Sequence, residues 1–111
     1  MAHYAFCTPI LPGKTADWKK RVAEMTGPRH AELKASRDRA GLKQERVWLQ
    51  HTPHGDFAVV YWEAQDIAKV FQTLMASTQP FDVWFREKIL VDIHGMTPGG
   101  PPPPMNEAVL G

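Results

Sequence analysis

The stretch from Gln44 to Ala64, QERVWLQHTPHGDFAVVYWEA, decides how this chain must be built. Two arms rich in β-branched and aromatic residues flank Pro53-His54-Gly55-Asp56, a strong turn signal, so the segment reads as a β-hairpin. A symmetric four-residue turn pairs Thr52 with Phe57, and counting outward from it sets Leu49 against Val60 and Val47 against Trp62 on one face. That face also takes His51 and Ala58. The opposite face then receives Arg46 against Glu63, Trp48 against Tyr61, Gln50 against Val59, and Phe57. A slip of one residue would exchange the faces of one arm, so the assignment rests on the turn.

Both faces of this hairpin carry large apolar side chains, and that has an architectural consequence. At 111 residues the chain is one domain, spanning 1–111, and it can bury roughly 65% of its unfolded surface. It has enough helix to cover one face of a sheet. The other face must be covered by a second copy, a ligand, or both. The expected assembly is therefore a homodimer, with a small molecule as a further candidate partner.

Composition narrows the classes. Thirteen Lys+Arg against twelve Asp+Glu give a net charge of +1, which makes no electrostatic case for nucleic acid or a membrane surface. The single Cys7 cannot form an intrachain disulfide and fits a reducing compartment. No apolar run is long enough to span a bilayer, and no basic, then apolar leader opens the chain. A cytoplasmic protein is the expectation. Cys7 itself reads as a small buried residue of the first strand.

Outward from the hairpin, His3–Thr8 reads as a strand ending at Pro9. Thr15 is a candidate N-cap for a helix whose apolar positions are Trp18, Val22 and Met25. Gly27-Pro28 interrupts it, a restart runs to about Arg39, and Gly41 closes it. Lys34, Arg37 and Arg39 alternate with Glu32 and Asp38, the pattern of a solvated helix face. Beyond the hairpin, Asp66 opens a helix with the stripe Ile67, Val70, Phe71, Leu74 and Met75. Ser77 or Thr78 with Pro80 opens another, whose inward residues are Phe81, Trp84, Phe85 and Ile89 or Leu90. Residues 98–104 form a Gly/Pro connector, and Met105–Leu110 can add a short final strand. The order is strand, broken helix, hairpin, helix pair, strand. The class is α+β, a ferredoxin-like βαββαβ pattern with a doubled second crossover helix. Its antiparallel sheet carries the helices on one face.

The segments Pro9–Lys14, Val47–Gln50 with the HTPHGD turn after it, and Pro80–Arg86 leading to Ile93-His94-Gly95 resemble a family of small bacterial proteins. That family is similar to the dimeric α+β barrel superfamily, and the resemblance covers nearly the whole chain. It implies two sheets packed open face to open face. The superfamily includes cofactor-independent monooxygenases, haem-degrading enzymes, isomerases of the muconolactone type, chlorite-dismutase-like proteins and stress proteins. Fold likeness does not choose among them, and no catalytic motif of these groups transfers to positions of this sequence.

The candidate ligand-binding residues lie on the open face: Arg46, Trp48, Gln50, Val59, Tyr61 and Glu63. Trp48 and Tyr61 can wall a cavity for an apolar or aromatic compound, Arg46 can anchor an anion, and Glu63 can act as a base or acceptor. The plainer account is a dimer interface with a cross-strand Arg46–Glu63 ion pair. An enzyme, a monooxygenase or isomerase on an aromatic or polyketide-like substrate, needs a proton-transferring group there. Only His3, Glu63, Arg46 and Tyr61 qualify, and the parity of the first strand leaves the side of His3 open. Other constellations fall short of their patterns. Gly13-Lys14-Thr15 lacks the glycine a phosphate loop needs at position 8, and His51 and His54 have no third metal ligand. His30-Ala31-Glu32 lacks the paired cysteines of a zinc deaminase, and His94 reads as a charge at a helix C-terminus. Neither metal nor cofactor is called for, although a haem-handling protein would need an inward-facing axial histidine.

Overall fold

A computed structural model describes residues Met1–Gly111. The elements are β1 (Ala2–Pro9), α1 (Thr15–Thr26), α2 (His30–Ala40), β2 (Leu42–Thr52), β3 (Gly55–Ala64), α3 (Ile67–Ala76) and α4 (Pro80–Phe85). α4 runs on into π-helical turns over Arg86–Val91. The fold is α+β: a three-stranded antiparallel sheet of order β1-β3-β2, with four α-helices. No helix is long and apolar enough to cross a membrane.

The hairpin turn is tighter than the sequence reading has it. Thr52 pairs with Gly55, so only Pro53 and His54 form the tip. Proline supplies the fixed φ of the first turn position, and Gly55 takes φ +117°, a value that disfavours any side chain. Thr52 Oγ1 closes the turn, accepting from the His54 amide at 3.1 Å and donating to the Gly55 carbonyl at 2.7 Å. Every cross-strand partner therefore moves by two positions: Trp48 faces Val59, Arg46 faces Tyr61, and Gln50 faces Phe57. A two-residue shift preserves the alternation of the pleat, so the assignment of faces is unchanged. A bulge at Lys43 then breaks the register between Leu42 and Gln44.

The inner face of the sheet meets the helices. Tyr4 from β1, Val60, Trp62 and Ala64 from β3, and Ile67, Val70, Phe71 and Leu74 from α3 form the largest core cluster. Asp66 caps α3 by accepting from the Lys69 amide at 3.1 Å. Met75, expected in the same stripe, lies exposed. A second cluster joins Ile10, Trp18, Ala58 and Ile93, and a third joins Met25, Phe81 and Ile89. Gly41 ends α2 at φ +79°, the left-handed C-terminal cap its position predicts.

Two expectations on the helices are corrected. Thr15 is not the N-cap of α1; Lys14 holds that place, and the Thr15 hydroxyl donates instead to Asp56 at 2.6 Å. In the basic run of α2, Lys34, paired with Asp38, and Arg39 are exposed as expected, but Arg37 is not. Arg37 is 7% exposed and stacks on the Phe85 ring at 4.5 Å, with Glu45 and Ser36 taking its hydrogen bonds. Arg39 reaches the buried Asp82.

The short C-terminal strand expected over Met105–Leu110 does not form. The tail follows β1 by other means: the Tyr4 hydroxyl donates to the Pro104 carbonyl at 3.0 Å, and the Asn106 amide donates to the Ala5 carbonyl. Four consecutive prolines, Pro101–Pro104, bring no N–H with which to extend a ladder. Val109 and Leu110 beyond them are almost fully exposed.

Candidate functional site

The side chains that point away from the helices come from all three strands. β1 contributes His3, Ala5 and Cys7, each exposed, so the expectation of a buried Cys7 is wrong. Tyr4 and Phe6 take the inner positions of that strand, because their rings pack with Trp62 and Phe71 at centroid separations of 5.7–6.3 Å. Parity then turns His3 outward. β2 contributes Gln44, Arg46, Trp48 and Gln50, and β3 contributes Phe57, Val59, Tyr61 and Glu63. Trp48 is 51% exposed, while Phe57, Val59, Tyr61 and Glu63 are half-buried.

At one end of this face the polar groups join. His3 lies opposite Glu63 and diagonal to Tyr61 across the β1–β3 ladder. Its Nδ1 is 2.6 Å from the Tyr61 hydroxyl and 3.5 Å from Glu63 Oε1, and the two rings stack at 6.0 Å. The expected Arg46–Glu63 ion pair does not form directly. Arg46 stands opposite Tyr61, and Gln44 lies between the charges. With its amide oxygen turned toward Arg46, Gln44 accepts from Nε and Nη2 at 2.8 Å each and donates to Glu63 Oε2. Three of the four proton-transfer candidates, His3, Tyr61 and Glu63, thus touch, and Gln44 links them to the fourth.

Chemically this corner can do two things. A neutral His3 accepts the Tyr61 proton, and a protonated His3 donates to Tyr61 with Glu63 near enough to offset the charge, the arrangement of a general acid–base pair. Arg46 offers a guanidinium to an anion. Along the face from Arg46, Trp48, Val59 and Phe57 supply the apolar floor. Gln50 takes no part in the corner; its amide donates to the His51 carbonyl at 3.1 Å. Gln44 was absent from the sequence candidates because a neutral amide gives no charge signal.

A second polar group sits at the hairpin tip, beside an open cleft of about 350 Å³ between the tip and the Pro9–Gly13 loop. Asp56 accepts from Thr15 Oγ1 at 2.6 Å and lies 2.7 Å from His51 Nδ1. The bond from Thr15, then that from His51, hold its carboxyl below the usual range. A nucleophilic triad needs the base between hydroxyl and carboxylate. Here the carboxylate is in the middle, so the hydroxyl points at a weak base and is not activated. The cluster ties α1 to the hairpin. No group of three or more His, Cys, Asp or Glu side chains converges to hold a metal ion.

His94 differs from its sequence reading. It is 8% exposed, and its Nδ1 lies 2.9 Å from the Pro9 carbonyl, to which it donates. Burial pushes its pKa below the ordinary imidazole value, against the opposing effect of the Pro9 bond. It is a neutral tether between the chain after α4 and the end of β1, not a charge on a helix end. Compared with protein-family models, curated proteins and solved structures, the chain matches none.

Proposed function

We propose that the chain works as a homodimer in which two open sheet faces meet and hold a small apolar or aromatic compound between them. The frame of this reading is a ferredoxin-like α+β barrel. The strand order β1-β3-β2, with the α1–α2 crossover joining two strands that do not pair, supports that frame. The observation that carries the function is the uncovered face itself. All of the packed core lies on one side of the sheet, while Trp48, Val59, Tyr61 and Phe57 remain on the other with no helix over them. A fully buried aromatic side chain covers about 150–250 Å², so burying these rings would supply much of the ~800 Å² per partner that a stable interface needs.

Light scattering at micromolar concentration tests it: the expected mass is twice 12.5 kDa, and Trp48→Glu should reduce it to one chain with unchanged far-ultraviolet dichroism. A wild-type mass of one chain would sink the proposal. A second reading, a cofactor-independent monooxygenase or isomerase on an aromatic or polyketide-like substrate, is favoured by the 2.6 Å contact of His3 with Tyr61 beside Glu63. It requires quinol- or anthrone-dependent oxygen uptake, or proton exchange from such a compound, that His3→Phe abolishes.

A further inference from the structure

Six arginines are distributed over the chain, and five of them are spoken for. Arg21 bonds Asp92, Arg29 bonds Glu32, Arg37 bonds Glu45 and Arg39 bonds Asp82, while Arg86 donates to the Leu74 carbonyl at 2.8 Å. Arg46 has neither a carboxylate nor a main-chain carbonyl. Its sole protein partner is the Gln44 amide oxygen, which takes Nε and Nη2 at 2.8 Å and leaves Nη1 without a partner. The acid on this face, Glu63, does not reach Arg46; it accepts from Gln44 and lies 3.5 Å from His3. The side chain is exposed, two residues from Trp48 on the same face of the same strand.

We infer that Arg46 and Trp48 form the seat for an aromatic acid, with its carboxylate or ionised phenol on the guanidinium and its ring against the indole. The inference rests on the ligand-binding reading above and names the class of compound that face takes. A guanidinium binds carboxylates through two parallel N–H donors, and charge assistance makes such bonds stronger than neutral ones. Gln44 acts as a positioning residue. It fixes the fork without neutralising it, as a carboxylate at the same position would do. Glu63 sharpens the choice, because its charge repels an anion from the His3 end and favours the Trp48 end.

Calorimetric titration of the full chain with 2-naphthoate and with the isosteric neutral 2-naphthalenemethanol tests this. Naphthoate should bind about tenfold more tightly, the worth of one charge-assisted hydrogen bond. Arg46→Met should bring the two affinities together while leaving that of the alcohol in place. Gln44→Glu should do the same with the arginine still present, which a merely structural role of Gln44 would not produce. Equal affinities in the wild type, or a preference that survives Arg46→Met, would overturn the aromatic-acid seat and leave the apolar site standing. Binding of neither compound would remove the site and this inference together.

Discussion

The two faces of the sheet are made of the same kinds of residue and end in opposite states. On the inner face Trp62 is 4% exposed, with its ring 4.7 Å from Phe71 and its Nε1 donating to Glu45 at 3.1 Å. On the outer face Trp48 is 51% exposed, with no aromatic ring packed on it. Val60 and Val59 are neighbours in one strand, yet one is buried and the other half-open. An antiparallel sheet with a single covered face ordinarily alternates apolar with polar. The departure from that pattern on β2 and β3 leaves apolar side chains on both faces while helices cover only one, and the proposed dimer rests on that difference. On the proposed function, substitutions on the inner face change folding and those on the outer face change association.

Paired substitutions break or sharpen that contrast. Trp62→Ala should cost about 3–5 kcal/mol of unfolding free energy, because it opens a cavity among Tyr4, Phe6 and Phe71 and strands the Glu45 acceptor. Trp48→Ala should leave the stability of a dilute single chain within about 0.5 kcal/mol, while removing any dependence of Tm on protein concentration. Denaturant titrations of both variants at two concentrations decide it. Equal losses that do not vary with concentration would erase the distinction between the faces.

The polar groups differ between the sides in the same way. Those of the helical side are buried and saturated. Asp82, 2% exposed, accepts from the hydroxyls of Ser36 and Ser77 and from Arg39 at 2.9 Å, tying α4 to α2. Burial alone would raise its pKa; the bonds from Ser36, Ser77 and Arg39 together outweigh that and hold the carboxyl below its ordinary value. Asp82→Ala should therefore destabilise by about 3 kcal/mol at neutral pH, since it leaves three donors without their acceptor. A carboxyl with a lowered folded pKa binds its proton more readily in the unfolded chain. Its contribution is full above the unfolded value of 3.8 and is lost as pH falls through the folded one. The gap between wild type and variant should accordingly narrow below about pH 4. A gap constant to pH 2 would contradict the proposed bonding.

The faces of the hairpin were legible because the turn sets the parity of β2 against β3, and β3, buried at every second residue from Ala58 to Ala64, lies at the centre of the sheet. The error in the turn came from counting Gly55 and Asp56 into the tip. Two residues of register cost the pairings but not the faces, which is why Arg46, Trp48, Gln50, Val59, Tyr61 and Glu63 still share one side. His3 was undecidable from β1 alone, since Tyr4, Ala5, Phe6 and Cys7 place apolar groups on both sides. The aromatic cluster with Trp62 and Phe71 settles it, and that is a long-range contact no local pattern contains. The same holds for Arg37, which shares its run with Lys34, Asp38 and Arg39 and is covered through long-range contacts with Phe85 and Glu45. Prolines 101–104 take neither helix nor strand, and their missing donors also deny β1 a further strand.

The smallest expected effect concerns the tether between the end of β1 and the chain after α4, where His94 donates to the Pro9 carbonyl from a buried position. Its folded pKa lies below the ordinary imidazole value of 6.5 because burial disfavours the imidazolium. The unfolded chain therefore takes up the proton first, and protonation favours unfolding. Stability owed to this group is complete above about pH 6.5 and declines as pH drops toward the folded pKa. His94→Asn keeps an N–H near the place of Nδ1 and removes the titration. Wild type should lose more unfolding free energy than His94→Asn between pH 7 and pH 5, while the four exposed histidines contribute equally to both proteins. Parallel pH curves would mean that His94 is solvated in solution and that the tether joining β1 to the chain after α4 is looser than its 2.9 Å contact implies.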